Sequence, residues 1–171
     1  MMISKGPLSQ VDTTAQYRIG SIYVESPESI AQSSPASYRD FGPRTWVYVY
    51  NGSASTIAAG ALCQRKTGTT VLTVEASATT AVAAYYIGVA QHAIITLNYG
   101  WILKEGAGLY VADTGGTTID HVLIPGNAVA GAWDSQANSQ VQDTIARVSY
   151  GIVISAALAT VTGIGYFRGF R

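Results

Sequence analysis

The sequence predicts an all-β protein: a small β-barrel, β-tulip or sandwich with an extended N-terminal arm. Short apolar stretches rich in Val, Ile, Thr and Tyr recur at a spacing of roughly 8 to 15 residues with glycine-rich breaks between them, the pattern of closed or stacked antiparallel sheets. Four of the five prolines (Pro7, Pro27, Pro35 and Pro43) precede Trp46, and only Pro125 follows it. Proline interrupts strand pairing, so its near absence after Trp46 marks the β body. The chain divides at Pro43-Arg44-Thr45-Trp46 into an arm, residues 1–45, and a body, residues 46–171. At 171 residues it holds one domain with a substantial core and is too short for two large ones.

The body opens with Trp46-Val47-Tyr48-Val49-Tyr50, a β-branched and aromatic run, followed by Asn51-Gly52, the pair best suited to positive φ in a turn. Further strands are expected over residues 60–65, 70–75, 86–93, 100–104, 108–112, 121–124, 145–154 and 163–170. Residues 128–144, with their polar stretch 134–143, read as a loop or short helix. An internal echo links Ala59-Gly60-Ala61-Leu62 to Ala107-Gly108-Leu109-Tyr110 and Gly88-Val89-Ala90 to Gly151-Ile152-Val153. Two β units of like design are one source of such an echo, and low-complexity Gly/Thr/Ala text is another.

The arm has neither helical nor alternating periodicity, and residues 25–37 are mostly Ser, Pro, Ala, Glu and Gln, a composition that favours flexibility. A polar arm cannot bury enough of its own apolar surface to offset the entropy of ordering. Tyr17, Tyr23, Tyr38 and Phe41 are therefore read as anchors that drop into pockets on a partner, with backbone groups adding to a sheet edge. The alternative is an arm wrapped on its own body. Arg44 closes the arm, and Arg168 and Arg171 flank Phe167 and Phe170 at the other terminus. These arginines suit an acidic partner surface or a charged edge that guards against mispairing.

Charged residues are 12% of the chain, about half the usual share, and Lys+Arg and Asp+Glu balance at 10 each. The first 45 residues hold four of each sign, so neither segment carries an electrostatic footprint for nucleic acid or an anionic membrane. A surface this poor in charge favours association. No uninterrupted apolar stretch reaches the ~18 residues of a membrane helix, and the N-terminus lacks the basic and apolar regions of a signal peptide. Assembly in the cytoplasm is the expectation.

Chemistry is sparse. His92 and His121 stand 29 residues apart, and Asp120 beside His121 points to the opposite face of a strand. The acids Glu75, Glu105, Asp113, Asp120, Asp134 and Asp143 are scattered, Asp113-Thr114-Gly115-Gly116 reads as a tight turn, and the single Cys63 sits in a strand-like pattern as a small hydrophobe. No nucleophile elbow, phosphate loop or His-Glu-x-x-His motif occurs. The expectation is no enzyme, no cofactor and no metal. Eleven tyrosines, with Tyr85, Tyr86 and Tyr99 beside turns, suit subunit interfaces and also sugar-binding surfaces.

Four segments in order, Trp46-Val47-Tyr48-Val49-Tyr50-Asn51-Gly52, Ala58-Ala59-Gly60-Ala61-Leu62, Ile87-Gly88-Val89-Ala90-Gln91 and Tyr99-Gly100-Trp101-Ile102-Leu103, resemble the decoration (cement) proteins of tailed bacteriophage heads. The likeness covers about Trp46 to Arg171, and the arm matches no pattern of that family. The resemblance implies a non-enzymatic β-barrel or β-tulip protein of the virion. It would sit outside the icosahedral shell, stabilise junctions between major capsid protein subunits, and form a dimer or trimer. A second expectation, from a different class, is a host-attachment or carbohydrate-binding module that uses exposed tyrosines with Trp101 or Trp133.

Overall fold

The computed structural model describes residues 11–29, 41–69, 72–78, 86–136 and 151–168. It is nearly all β and contains a closed five-strand barrel. The strands are β1 (Ile22–Glu25), β2 (Arg44–Asn51), β3 (Leu62–Arg65), β4 (Thr73–Ala76), β5 (Tyr86–Ala90), β6 (Tyr99–Val111), β7 (Val122–Pro125), β8 (Trp133–Gln136), β9 (Gly151–Ser155) and β10 (Thr162–Phe167).

The barrel runs β2-β4-β3-β5-β6 and closes where β6 returns to β2 in antiparallel register, from Tyr50↔Tyr99 to Trp46↔Leu103. One parallel pair, Tyr50↔Thr73 and Asn51↔Val74, joins β2 to β4. Closure pairs these five strands on both sides except along Arg44–Val47 of β2, which β4 does not reach. Its lumen holds Val47, Val49, Ile57, Ala61, Cys63, Val74, Ala90, Ile94 and Ile102, all buried. Alternation along β2 sends Val47 and Val49 inward and therefore Trp46 and Tyr48 to the opposite face. Burial pushes the Cys63 thiol up to about 12, as a small hydrophobe in a dry core requires.

Two stretches expected as separate strands, residues 100–104 and 108–112, are one strand of 13 residues. β6 pairs with β2 as far as Glu105 and with β10 from Gly106 onward. Gly106, at φ 111, is the hinge of this exchange, and a Cβ there would lie 2.9 Å from the Arg44 side chain. The second half of β6 leads a further sheet in the order β6-β10-β9-β7-β8. Its far strand comes back beside the end of β6 through the parallel bridge Ala112↔Trp133. The two curled sheets share β6, and a single core spans both, from Trp46, Tyr48 and Trp101 to Tyr110, Trp133 and Phe167.

The sequence echo does not mark a repeated topology. β3, entered through Ala59–Leu62, pairs directly with β5, whereas Ala107–Tyr110 lies within β6 and β10 separates it from β9. Gly60 shows why the Ala-Gly-Ala-Leu motif exists. It adopts φ +80, its N–H donates to Ala90 O and its carbonyl accepts from Val111 N, so the turn before β3 ties β5 to β6. A Cβ on Gly60 would sit 2.8 Å from the Tyr110 backbone carbon. β8 lies in the region expected as loop or helix, where the pairing of Val122–Pro125 with Trp133–Gln136 outweighs the polar composition.

Candidate interaction surface

Residues 12–25 lie on the body of their own chain, the alternative that composition left open. Asp12 bridges Tyr99 through paired backbone bonds of 2.9 and 2.8 Å, and β1 adds to β2 from Ile22↔Val47 to Glu25↔Arg44. The face they cover is built by cross-strand register: Tyr48 opposite Trp101 and Tyr50 opposite Tyr99. Tyr17 packs edge-on to both Tyr48 and Trp101 with centroids 5.2 Å away, and Tyr23 meets Trp101 at 6.2 Å. Each such contact is worth about 0.5–1.5 kcal/mol beyond burial, so a polar arm gains ordering energy from rings supplied by its own barrel.

Polar groups complete the seal. The Tyr48 hydroxyl donates to Asp12 Oδ2 at 2.9 Å and accepts from Gln16 N at 3.2 Å. Burial, with the Asp12 carboxylate adding to it, pushes the Tyr48 hydroxyl up to about 12. At the other end of β1, Glu25 Oε2 accepts from Arg44 Nε at 2.8 Å and from Trp46 Nε1 at 3.1 Å. The Arg44 guanidinium also lies 5.1 Å from the centre of the Trp46 ring. Arg44, expected to face a partner, is buried in an internal ion pair because its strand position sets it directly opposite Glu25.

Of the remaining anchors, Phe41 is 38% exposed and leans on Tyr166 at 6.3 Å, and Arg168 is exposed just beyond β10. The structure thus brings Phe41 to β10, which Arg168 follows, and holds Tyr17, Tyr23 and Arg44 in the arm seal. Tyr38 and Arg171 lie outside the described residues. Trp101 and Trp133 are buried, which removes them as a stacking platform for sugars. Tyr86 is buried as well, and Tyr85 lies outside the described residues.

Titratable groups do not converge. Among the described residues His92 Nε2 and His121 Nδ1 are buried without a hydrogen-bond partner, and burial lowers His92 to about 4. The Asp113 carboxylate accepts from Thr114 N at 2.8 Å and Ala128 N at 2.9 Å, the tight-turn role its sequence suggests. Among the described residues no group of three or more His, Cys, Asp or Glu side chains is placed to hold a metal ion.

The surface instead offers apolar prominences that the sequence pattern did not single out. Leu158 is 80% exposed in the turn between β9 and β10, with Val161 beside it and Ile119 exposed on the neighbouring loop. Thr117 N donates to Ala157 O at 2.8 Å and Ala112 N to Val161 O at 3.0 Å, which fixes the two loops together. Tyr110 hydrogen-bonds Thr117 Oγ1 and Ser155 O beneath them. The result is an apolar tip on hydrogen-bonded loops of the second sheet. Ala157-Leu158-Ala159-Thr160 holds none of the usual turn residues, so the sequence carried no signal for it.

No protein-family model matches the chain, and no curated protein matches it. Among solved structures it is similar to the N base of the head fiber gp8.5 of bacteriophage phi29, with a TM-score of 0.48 and 13% identity, over 71% of this chain and 93% of that one.

Proposed function

We propose that the chain is a structural, non-enzymatic protein of a phage virion that sits on the outer surface of the head and stabilises junctions between major capsid protein subunits. The observation that carries this reading is the exposed apolar tip of Leu158, Val161 and Ile119 on a charge-poor double β body. An exposed leucine held by hydrogen-bonded loops is pre-organised to enter a pocket on a partner, because little conformational entropy is left to lose. The segments that resemble decoration proteins supply support of a different kind. They form β2, the turn into β3, β5 and the first half of β6, the frame of the closed barrel. A clamp across subunit boundaries adds contacts that vanish only when the boundaries part, and a symmetric lattice multiplies a modest contact.

The test is occupancy. Purified heads that lack the protein should bind it and lose DNA at a higher temperature once decorated, and Leu158→Ser with Val161→Ser should reduce bound copies. Heads equally stable with and without the protein would overturn the stabilising role. Removal of the whole arm is an ambiguous experiment, because residues 12–25 also cover the barrel's aromatic face.

A further inference from the structure

Ser21 O accepts from Tyr48 N, so strand alternation turns the backbone groups of Tyr23 and Glu25 toward β2 and those of Ile22 and Val24 toward the other edge. Among the described residues β1 pairs with β2 alone. The side chains of Ile22 and Val24 are 50% and 59% exposed on one face of this strand. No Lys, Pro or bulge interrupts Ile22–Glu25, so among the described residues only its four-residue length and the inward Glu25 protect this edge from pairing.

We infer that β1 is the contact between two copies of this chain, joined edge to edge as an antiparallel, two-fold pair. The strand is self-complementary in one register, with Ile22 opposite Val24 of the second copy and Val24 opposite its Ile22. That register matches the two outward residues of each copy and forms two hydrogen-bonded pairs. It also keeps the four apolar side chains on one face. Charge agrees with it. Arg18 O accepts from Ser21 N in the turn that enters β1, and Glu28 follows its exit. Both are exposed, and an antiparallel pair sets the entry of each copy beside the exit of the other. Arg18 of one copy thus faces Glu28 of the second, twice by symmetry.

The dimer stands on this edge strand and is independent of the capsid reading. Sedimentation velocity of the full chain should give a species of twice 18.0 kDa. Val24→Pro removes an outward N–H without touching the β2 ladder and should weaken the dimer by about tenfold or more. Arg18→Glu should weaken it too, and adding Glu28→Arg should restore it. The charge pair decides the matter if the proline variant misfolds, which circular dichroism reports. A monomer at the highest soluble concentration, an odd stoichiometry, or a dimer indifferent to both substitutions would overturn the proposal. Head binding lost in the Leu158 variant with dimerisation intact would separate the two surfaces.

Discussion

Arg44 Nη2 lies 2.7 Å from Glu25 Oε2, and both side chains are almost entirely buried. They are direct cross-strand partners in the β1–β2 pair, so the bridge latches the arm at the point where the body begins. Removing one partner leaves the other's buried charge without its cross-strand counterion, which costs far more than the intact pair contributes. Arg44→Ala should therefore lower stability by about 3–5 kcal/mol in urea unfolding, with a smaller loss for Arg44→Ala/Glu25→Ala than for the sum of the two single changes. Additive losses would show that the two side chains act independently.

Tyr48 carries an alkaline signature. Its folded value is raised above the ordinary 10, to about 12, so the unfolded chain ionises first. The associated stability is complete below pH 10 and disappears as pH rises through 12, a loss of order 2 kcal/mol. Tyr48→Phe abolishes this titration and also removes the Asp12 and Gln16 bonds, at a cost of about 1–2 kcal/mol at neutral pH. The Cys63 thiol shifts in the same sense and begins its contribution nearer pH 9, so the comparison is between Tyr48→Phe and the parent in a Cys63→Ala background.

His92 works in the opposite direction. Its folded value is lowered from 6.5 to about 4 by burial, so the unfolded chain takes up the proton first. Stability is complete above pH 6.5 and falls as pH drops through 4. His92→Asn, neutral throughout, should flatten the melting temperature across that window relative to the parent. An unchanged slope would assign the acid sensitivity to other groups.

Gly60 and Gly68 both have positive φ but different surroundings. A Cβ at Gly68, φ +77, meets nothing within 4 Å, so Gly68→Ala carries the left-handed penalty alone, about 1–2 kcal/mol. At Gly60 the methyl group would also press on the Tyr110 and Val111 backbone, which raises the loss to roughly 3 kcal/mol or more. Equal losses at the two positions, by chemical denaturation, would mean that β6 yields to the added methyl group.

Local pattern was sufficient for β2, because alternation along Trp46–Tyr50 is written in adjacent residues, but it misled at the expected Asn51-Gly52 turn: Asn51 is the last residue of β2, Gly52 N donates to Val74 O of β4, and neither residue has positive φ. Asn51 shows how far this goes. Its side chain donates to Ser55 O and Ile94 O and accepts from Ser53 N, so a residue read as turn chemistry is also a fully buried hub. The Ile94 partner lies 43 residues away and leaves no trace beside Asn51 in the sequence. β1 was illegible for a related reason. Four residues in polar text become a strand only because Arg44–Val47 offer a ladder, and Tyr17 and Tyr23 became self-anchors only because Tyr48 and Trp101 stand opposite each other. The apolar tip escaped notice because exposure is a property of the folded surface.

What the sequence determined by itself is the all-β class and the place of Cys63 as a small buried hydrophobe, since periodicity and the strand-like pattern around the single cysteine are properties of the chain alone. The tertiary structure decided where the arm lies, that β6 is one strand serving two sheets, and which aromatic and basic residues are withdrawn from the surface. Each of those outcomes depends on register between strands distant in sequence, and register is settled by closing the barrel.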